Sequence, residues 1–279
     1  MIIDLHTHSR ESDGTDSPAD VVRRAAGLGV DVIALTDHDT FAGHAEAAAT
    51  ARELGVEFVP GMEMSTTFGG RSVHLLAYGA DPAHQGLCDE LARIRVGRTE
   101  RVPKMVERLK ECGAPISVEE VTAMAGGDSV GRPHVADALV AAGHATDRAD
   151  AFNRFLHDGG VGYVAKYEPP LPDAIDLLHD AGAVTVIAHP WGRGSRLVLD
   201  ADAIGRLTRD HGLDGIEIDH GDHGPKDSAM RGELRSIART HGLLVTGSSD
   251  YHGTGKVGHE IGSETTAPGV LERIRSRMT

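Results

Sequence analysis

The chain is expected to be an α/β protein, a barrel of strands with helices packed outside it. Three observations carry that expectation. Short apolar runs alternate with amphipathic helical stretches along most of the 279 residues, as in βα units with right-handed crossovers and a parallel sheet. Histidines and acids recur at or near the ends of the apolar runs, and in a βα barrel the active face lies at the carboxyl ends of the strands. No glycine-rich nucleotide fingerprint follows the first run, which disfavours an open doubly wound sheet.

Taken in order, the first strand is expected at residues 2–5 and leads into His6-Thr7-His8, with Asp13 in the next loop. A helix over 18–28 follows. The strand at 31–36 ends on Asp37-His38, and Asp39 is read as the N-cap of a helix over 41–54. The strand at 57–60 precedes Glu63, and the strand at 73–78 contains His74. Further strands at 183–188, 215–218 and 243–247 lead to His189, to Asp219-His220 and to Asp250-Tyr251-His252. Helices are expected over 171–181, 201–210, 226–241 and 268–277. Between 83 and 165 the alternation stops, and helices are expected over 85–112, 118–125, 133–142 and 148–156. Residues 1–82 and 166–279 are therefore read as two parts of one barrel, and 83–165 as an inserted helical module capping the strand ends. The Arg-rich first helix of that module reads as a solvated face.

Composition narrows the function. The formal net charge is −14 and aromatic residues make up 4% of the chain, which disfavours a duplex-DNA surface and leaves few rings for base stacking. No apolar run is long enough to span a membrane. The start of the chain has no signal-peptide pattern. Two cysteines, Cys88 and Cys112, form no pair motif, so a cytoplasmic location is expected. An acidic protein can still bind anions where metal ions supply local positive charge.

The chemistry is carried by nine residues: His6, His8, Asp13, His38, Glu63, His74, His189, Asp250 and His252. Residues i and i+2 of a strand share a face, so His6 with His8, and Asp250 with His252, can each aim at one point. Singly, several have plainer readings. Asp13 lies in a turn sequence, Glu63 could be a surface carboxylate, His74 sits among apolar residues, and His189-Pro190 could end a strand. Together they form a mixed nitrogen and oxygen set that suits Mn²⁺, Fe²⁺ or Zn²⁺. Nine ligands exceed the need of one ion, so two or three divalent ions sharing carboxylates are expected.

The motifs His6-Thr7-His8, Asp13-Gly14, Thr36-Asp37-His38, Gly61-Met62-Glu63, His74-Leu75-Leu76, Ala188-His189-Pro190 and Ser249-Asp250-Tyr251-His252 resemble, in order and spacing, the PHP (polymerase and histidinol phosphatase) superfamily of metal-dependent phosphoesterases. The resemblance implies a distorted (β/α)₇ barrel. It also implies a division of ligands: His6, His8, Glu63 and Asp250 on one ion; Glu63, His74 and His189 on a second; Asp13, His38 and His252 on a third.

Within the insert, Gly131-Arg132-Pro133-His134-Val135-Ala136 and Gly162-Tyr163-Val164-Ala165-Lys166 resemble a narrower branch. That branch hydrolyses nucleoside 3′,5′-bisphosphates or trims very short RNAs from the 5′ end. Pro133 suits the first helical position, which sets Arg132 and His134 at a helix start that favours anions. The expected activity is loss of the 3′-phosphate from a bisphosphate such as pAp, by in-line attack of a metal-activated water. Glu63 and Asp250, with Arg132 and His134, are expected to carry catalysis. Arg132, His134, Lys166 and His223 are expected to contact substrate. The alternatives are a 5′→3′ exoribonuclease, a histidinol-phosphate phosphatase, or a non-catalytic metal-binding or polymerase-associated module.

Overall fold

The computed structural model describes residues 1–125 and 130–278. Seven strands form one mixed sheet in sequence order: β1 (Ile3–Asp4), β2 (Val32–Leu35), β3 (Glu57–Phe68), β4 (Arg71–Tyr78), β5 (Val184–Ile187), β6 (Gly215–Asp219) and β7 (Leu244–Gly247). The helices α1 (Pro18–Gly27), α2 (His44–Leu54), α7 (Leu171–Asp180), α8 (Ala201–His211) and α9 (Ala229–His241) follow or separate them, and α10 (Pro268–Arg275) ends the chain. The sheet is nearly closed. Just past β1 and β7, His8 N–H donates to Tyr251 O at 2.8 Å and Asp250 N–H donates to His6 O at 2.9 Å. The two strand extensions that carry candidate ligands therefore close the barrel.

Not all strands are parallel, as the alternation had implied. β4 runs antiparallel to both β3 and β5. The cause is local. β3 continues to Phe68, and Gly69-Gly70 turns the chain straight back with φ of 55° and 77°. A two-residue glycine turn makes a hairpin, and a hairpin leaves no room for a crossover.

Alternate side chains line the barrel, as the period of two requires. Ile3, Val32, Ala34, Val59, Leu76, Tyr78, Val184, Val186 and Leu244 form one buried cluster with Leu271 and Ile274 of α10. The opposite faces of β2, with Ile33 and Leu35, pack on Val21, Val22 and Ala25 of α1 and on Ala47 and Ala51 of α2. The Tyr78 hydroxyl, fully buried, donates to Leu5 O at 3.0 Å across the barrel.

Between β4 and β5 lie α3 (Gln85–Glu111), α4 (Val118–Met124), α5 (Arg132–Ala141) and α6 (Arg148–Ala151), the last running into a π-helical turn (Phe152–Leu156). They share a core of their own, including Met105, Leu109, Val121, Val135, Leu139 and Leu156. The first part of α3 instead packs Leu87, Leu91 and Ile94 against the barrel helices. Arginines join the two bodies. Arg95 donates to Asp39 O at 2.7 Å, Arg98 Nε to Asp39 Oδ2 at 2.8 Å, and Arg148 Nη1 to Asp13 O at 2.9 Å.

Two expectations are corrected here. The Arg-rich face of α3 is not simply solvated, because Arg98 and Arg101 are each only 5% exposed. Asp39 is not a helix cap. It sits at φ 57°, and its carboxylate accepts from Ser65 N–H and Oγ as well as Arg98, while α2 starts only at His44 with no side-chain cap. Among the described residues no helix is long and apolar enough to cross a membrane.

Tyr78→Phe removes a buried donor and strands the Leu5 carbonyl. The change should lower the unfolding free energy by about 1–2 kcal/mol. An unaltered urea midpoint would show that the bond contributes nothing net.

Candidate metal centre

The site is built from the strand ends upward. His6 and His8 flank Thr7, whose hydroxyl turns the other way and donates to Ala34 O at 2.7 Å. The loop after His8 is folded back by Asp37, which accepts from Ser9 N–H at 2.7 Å and from the Ser9 and Ser12 hydroxyls at 2.6 Å each. Burial pushes the Asp37 carboxyl up to about 6 against the pull of His8 and these hydrogen bonds. The loop then passes so close to its own start that a Cβ on Gly14 would lie 2.5 Å from the His8 carbonyl oxygen. Only glycine fits there, and that passage delivers Asp13.

Glu63 and His74 come from the β3–β4 hairpin, where Ser65 pairs with His74 and Glu63 with Leu76, so the two ligands are diagonal neighbours. His189 and Asp250 stand at positive φ, 29° and 54°, where a non-glycine residue costs on the order of 1–3 kcal/mol. Each is held by its main chain: His189 N–H donates to Glu217 Oε2 at 2.9 Å, and Asp250 N–H to His6 O at 2.9 Å.

These elements bring all nine residues to one place. His6 Nε2 and His8 Nε2 are 3.0 Å apart. Glu63 Oε2 lies 3.3 Å from the first and 3.1 Å from the second, and Asp250 Oδ1 lies 3.3 and 3.4 Å from them. Glu63 Oε1 faces His74 Nδ1 at 2.9 Å and His189 Nε2 at 3.2 Å. Asp13 Oδ1 is 3.2 Å from His252 Nε2, and its Oδ2 is 3.7 Å from His38 Nε2. The groups His8–Asp13–His38–His252, His6–His8–Glu63–Asp250 and His38–Glu63–His74 each offer donor atoms within 4.8 Å of one another. His38 touches two of the sets, because its Nδ1 is 3.2 Å from Glu63 Oε2.

The donor chemistry fits cations. Glu217 accepts from His6 Nδ1 at 3.2 Å, so the ring proton sits on Nδ1 and Nε2 presents a lone pair. That lone pair faces another imidazole nitrogen and two carboxylate oxygens, an arrangement stable in a buried site only with positive charge between the atoms. In the metal-free protein protons take that place. Burial would lower the His6 pKa, but Asp250, Glu217 and Glu63 outweigh it and raise it well above the usual value. His8 rises likewise to about 9. Glu63 and Asp250 are held well below the carboxylate range despite burial, Glu63 mainly by His38 and His74, Asp250 mainly by Lys256 and His6.

The other expected residues are placed as follows. His134 is buried, and its Nδ1 accepts from Gly131 N–H at 3.0 Å, which satisfies the free donor at the start of α5. Arg132 donates to Asp158 at 2.6 Å and lies over the rings of Phe152 and Tyr163. Lys166 is nearly buried, 2.6 Å from Glu168 Oε1. Burial and the neighbouring Arg98 lower it to about 8. His223 is buried with Nδ1 2.7 Å from Ile218 O and Nε2 2.5 Å from Pro190 O, so both ring nitrogens meet main-chain carbonyls.

Three features were not singled out from sequence. Arg98 and Arg101 join Lys166 in a buried basic cluster beneath Gly131, where a Cβ would lie 3.2 Å from Arg98 Nη1 and 3.9 Å from Arg101 Nη2. Arg148 spans the carboxylate of Asp137 and the carbonyl of Asp13. Glu217 is fully buried in β6. A charged residue inside Gly215-Ile216-Glu217-Ile218 was the signal for it.

A nearly closed seven-stranded sheet with buried His/Asp/Glu clusters at its strand ends, consistent with a multinuclear metal site, defines a metal-dependent phosphoesterase. Residues 4–91 match the PHP domain. The chain is 36% identical to the 3′,5′-nucleoside bisphosphate phosphatase of Chromobacterium violaceum, over 98% of this chain and 94% of that one. It is 34% identical to the 5′-3′ exoribonuclease Rnm of Escherichia coli, over 90% and 85%. A Bifidobacterium adolescentis crystal structure described as a metal-dependent phosphoesterase superposes with a TM-score of 0.93 at 36% identity, covering 99% of this chain and 96% of the other. This chain belongs to the PHP family.

Two outcomes are expected. Imidazoles must shed protons to bind metal, so loading at pH 7 should release protons, and affinity should rise with pH until His8 is neutral near 9. Calorimetry in buffers of different ionisation enthalpy reads this directly, and zero release would contradict it. Gly14→Ala carries no ligand yet should weaken the ion nearest Asp13, lowering metal content after dialysis relative to the wild type.

Proposed function

We propose that this protein is a phosphomonoesterase that removes the 3′-phosphate from nucleoside 3′,5′-bisphosphates such as pAp. The observation that carries this reading is the buried basic cluster that the 83–165 segment sets beside the metal centre. Arg98 bonds Asp39, the residue after His38, and its charge is felt at His38 and His134. Arg101 is buried, with Nε unpartnered among the described residues. Burial, then Arg98 and Arg132, lower its pKa to about 9, which leaves it charged at neutral pH. Arg98 and Lys166 are offset by Asp39 and Glu168, whereas Arg101 has no carboxylate partner among the described residues, and a buried cation so placed in a protein of net charge −14 serves an anion that arrives with the substrate. The sequence kinship with the Chromobacterium phosphatase supports the same reading.

Two or three divalent ions held by the nine ligands would supply an activated water and neutralise charge at phosphorus. The protein's own groups do the rest. Glu63 keeps its five imidazole neighbours in register. His134 accepts a main-chain N–H at Nδ1, so its neutral ring carries the proton on Nε2, available to a phosphate oxygen. Arg101, Lys166 and Arg132 hold the remote 5′-phosphate, and that binding positions the reacting ester. In this reading 83–165 is a cap module, and Arg132 exchanges Asp158 for substrate. His223 serves as a brace between β6 and the His189-Pro190 turn. A second reading, 5′→3′ cleavage of short RNA, rests on the kinship with Rnm.

Phosphate release from pAp, a 5′-phosphorylated trinucleotide and histidinol phosphate, assayed together with Mn²⁺, separates the readings. The first should be preferred, and greater activity on the trinucleotide would replace the proposal with the second reading. Arg132→Ala or Arg101→Ala should lower kcat/KM for pAp about ten- to a hundredfold, from the loss of a charge-assisted contact of roughly 1.5–3 kcal/mol. A simple monophosphate ester should suffer less.

Lys166 adds a pH signature. It is a cation below about 8 and neutral above, so KM for pAp should rise above that pH. Lys166→Arg should remove the rise, because a guanidinium keeps its charge. A wild-type KM flat to pH 9 would remove Lys166 from the phosphate site.

A further inference from the structure

β6 is the strand that contributes none of the nine ligands, yet it ends inside the centre. Glu217 and His220, at and just past it, are both 0% exposed. Glu217 makes three contacts to two partners, with His6 Nδ1 lying 3.2 and 3.4 Å from its two oxygens. Oε1 accepts from His6 Nδ1 at 3.2 Å, and Oε2 accepts from His189 N–H at 2.9 Å. Among the described residues no lysine or arginine is paired with it. Burying a carboxylate in this way costs several kcal/mol, and an apolar side chain would suit the barrel interior better.

His220 is equally constrained. Its Nδ1 lies 3.1 Å from Asp222 N–H, and an amide N–H can only donate. The proton of the neutral ring is therefore on Nε2, which lies 3.3 Å from Asp250 Oδ2. Lys256 Nζ approaches the same oxygen. Asp250 Oδ1 is the atom that faces His6 and His8. The main chain at Asp222 thus selects the His220 tautomer, and His220 Nε2–H together with Lys256 Nζ holds Oδ2, leaving Oδ1 toward His6 and His8.

We propose that β6 is the positioning strand of the metal centre: Glu217 fixes the His6 tautomer and the His189 turn, and His220 directs the Asp250 carboxylate. The inference rests on the metal centre and not on the choice of substrate. Both residues act through ligands, so both are positioning residues. Outer partners of this kind are worth about ten- to a hundredfold in metal affinity.

The test reads Mn²⁺ affinity by competition with a fluorescent chelator, metal content by elemental analysis, and the melting temperature of the metal-free protein. Glu217→Leu and Glu217→Gln should weaken the tighter ion about ten- to a hundredfold. Glu217→Leu strands the His6 and His189 donors and should lower the metal-free melting temperature, whereas Glu217→Gln keeps an acceptor and should lower it less, so affinity is compared at a temperature where both metal-free variants are folded. His220→Ala should weaken binding similarly, and His220→Gln, which keeps an N–H donor, should recover most of the loss. Wild-type affinity in Glu217→Leu and His220→Ala would overturn the proposal. So would wild-type affinity in a Glu217→Gln variant whose metal-free melting temperature is little changed, or a His220→Gln variant as weak as His220→Ala. Wild-type protein that takes up no ion would instead overturn the metal centre itself.

Discussion

The arrangement depends on one buried carboxylate. Glu63 is 1% exposed, and five imidazoles from four other strand ends converge on its two oxygens. His6, His8 and His38 meet Oε2 at 3.1–3.3 Å, while His74 and His189 meet Oε1 at 2.9 and 3.2 Å. A carboxylate among neutral rings is unstable unless positive charge sits between them. Barrel closure, hairpin register and the strained turns all bring acceptor atoms together around that charge. A slip of β3 by one residue would turn Glu63 to the other face of the sheet and dissolve both of the sets that contain it.

The reversed strand has a structural consequence. A hairpin brings candidate ligands from consecutive strands together with only the Gly69-Gly70 turn between the strands, so Glu63 and His74 are held by the β3–β4 pairing itself. The ligands outside the hairpin lack that rigidity, and strain and hydrogen bonding take its place. Asp39, His189, Trp191 and Asp250 are the non-glycine residues at positive φ among those described, and all lie at or beside the centre. Their conformations persist because neighbours over-determine them: Ser65 and Arg98 at Asp39, Glu217 at His189, the Ser195 hydroxyl at Trp191 N–H, and the His6 carbonyl at Asp250.

Much of this was legible from sequence because it is periodic. The seven strands follow from apolar runs, and the shared aim of His6 and His8 follows from the two-residue repeat; Asp250 and His252 also meet, but beyond β7 and with Asp250 at φ 54°, where a strand repeat does not apply. What escaped depended on partners far along the chain. Glu217 is 211 residues from His6, and nothing near either position announces the contact. Asp39 looks like a cap locally, but its partners lie in β3 and α3. Arg98 and Arg101 look like surface charges on a helix until the barrel and the insert close over them. The hairpin was missed for a different reason: Pro60 and Gly61 appeared to end a strand that runs on to Phe68. Proline is tolerated there because Pro60 lends its carbonyl to Gly79 N–H and needs no donor of its own.

Charge distribution connects the centre to the size of substrate it favours. At −14 overall the protein repels polyanions at long range, and each additional phosphate outside the site adds to that repulsion. Attraction would be confined to short range, where bound metal ions and the buried Arg101 would act within a Debye length of about 8 Å, since Arg98 and Lys166 are already offset by Asp39 and Glu168. A ligand with two phosphates can place one at each source of positive charge and leave none outside. A long nucleic acid would trail most of its charge across an acidic surface that offers little compensation. In the proposed reading the metal centre would set the reaction at phosphorus, and the balance between a few buried cations and an acidic exterior would limit how much anion can accompany it, favouring a small doubly phosphorylated nucleotide or a very short RNA over a long strand.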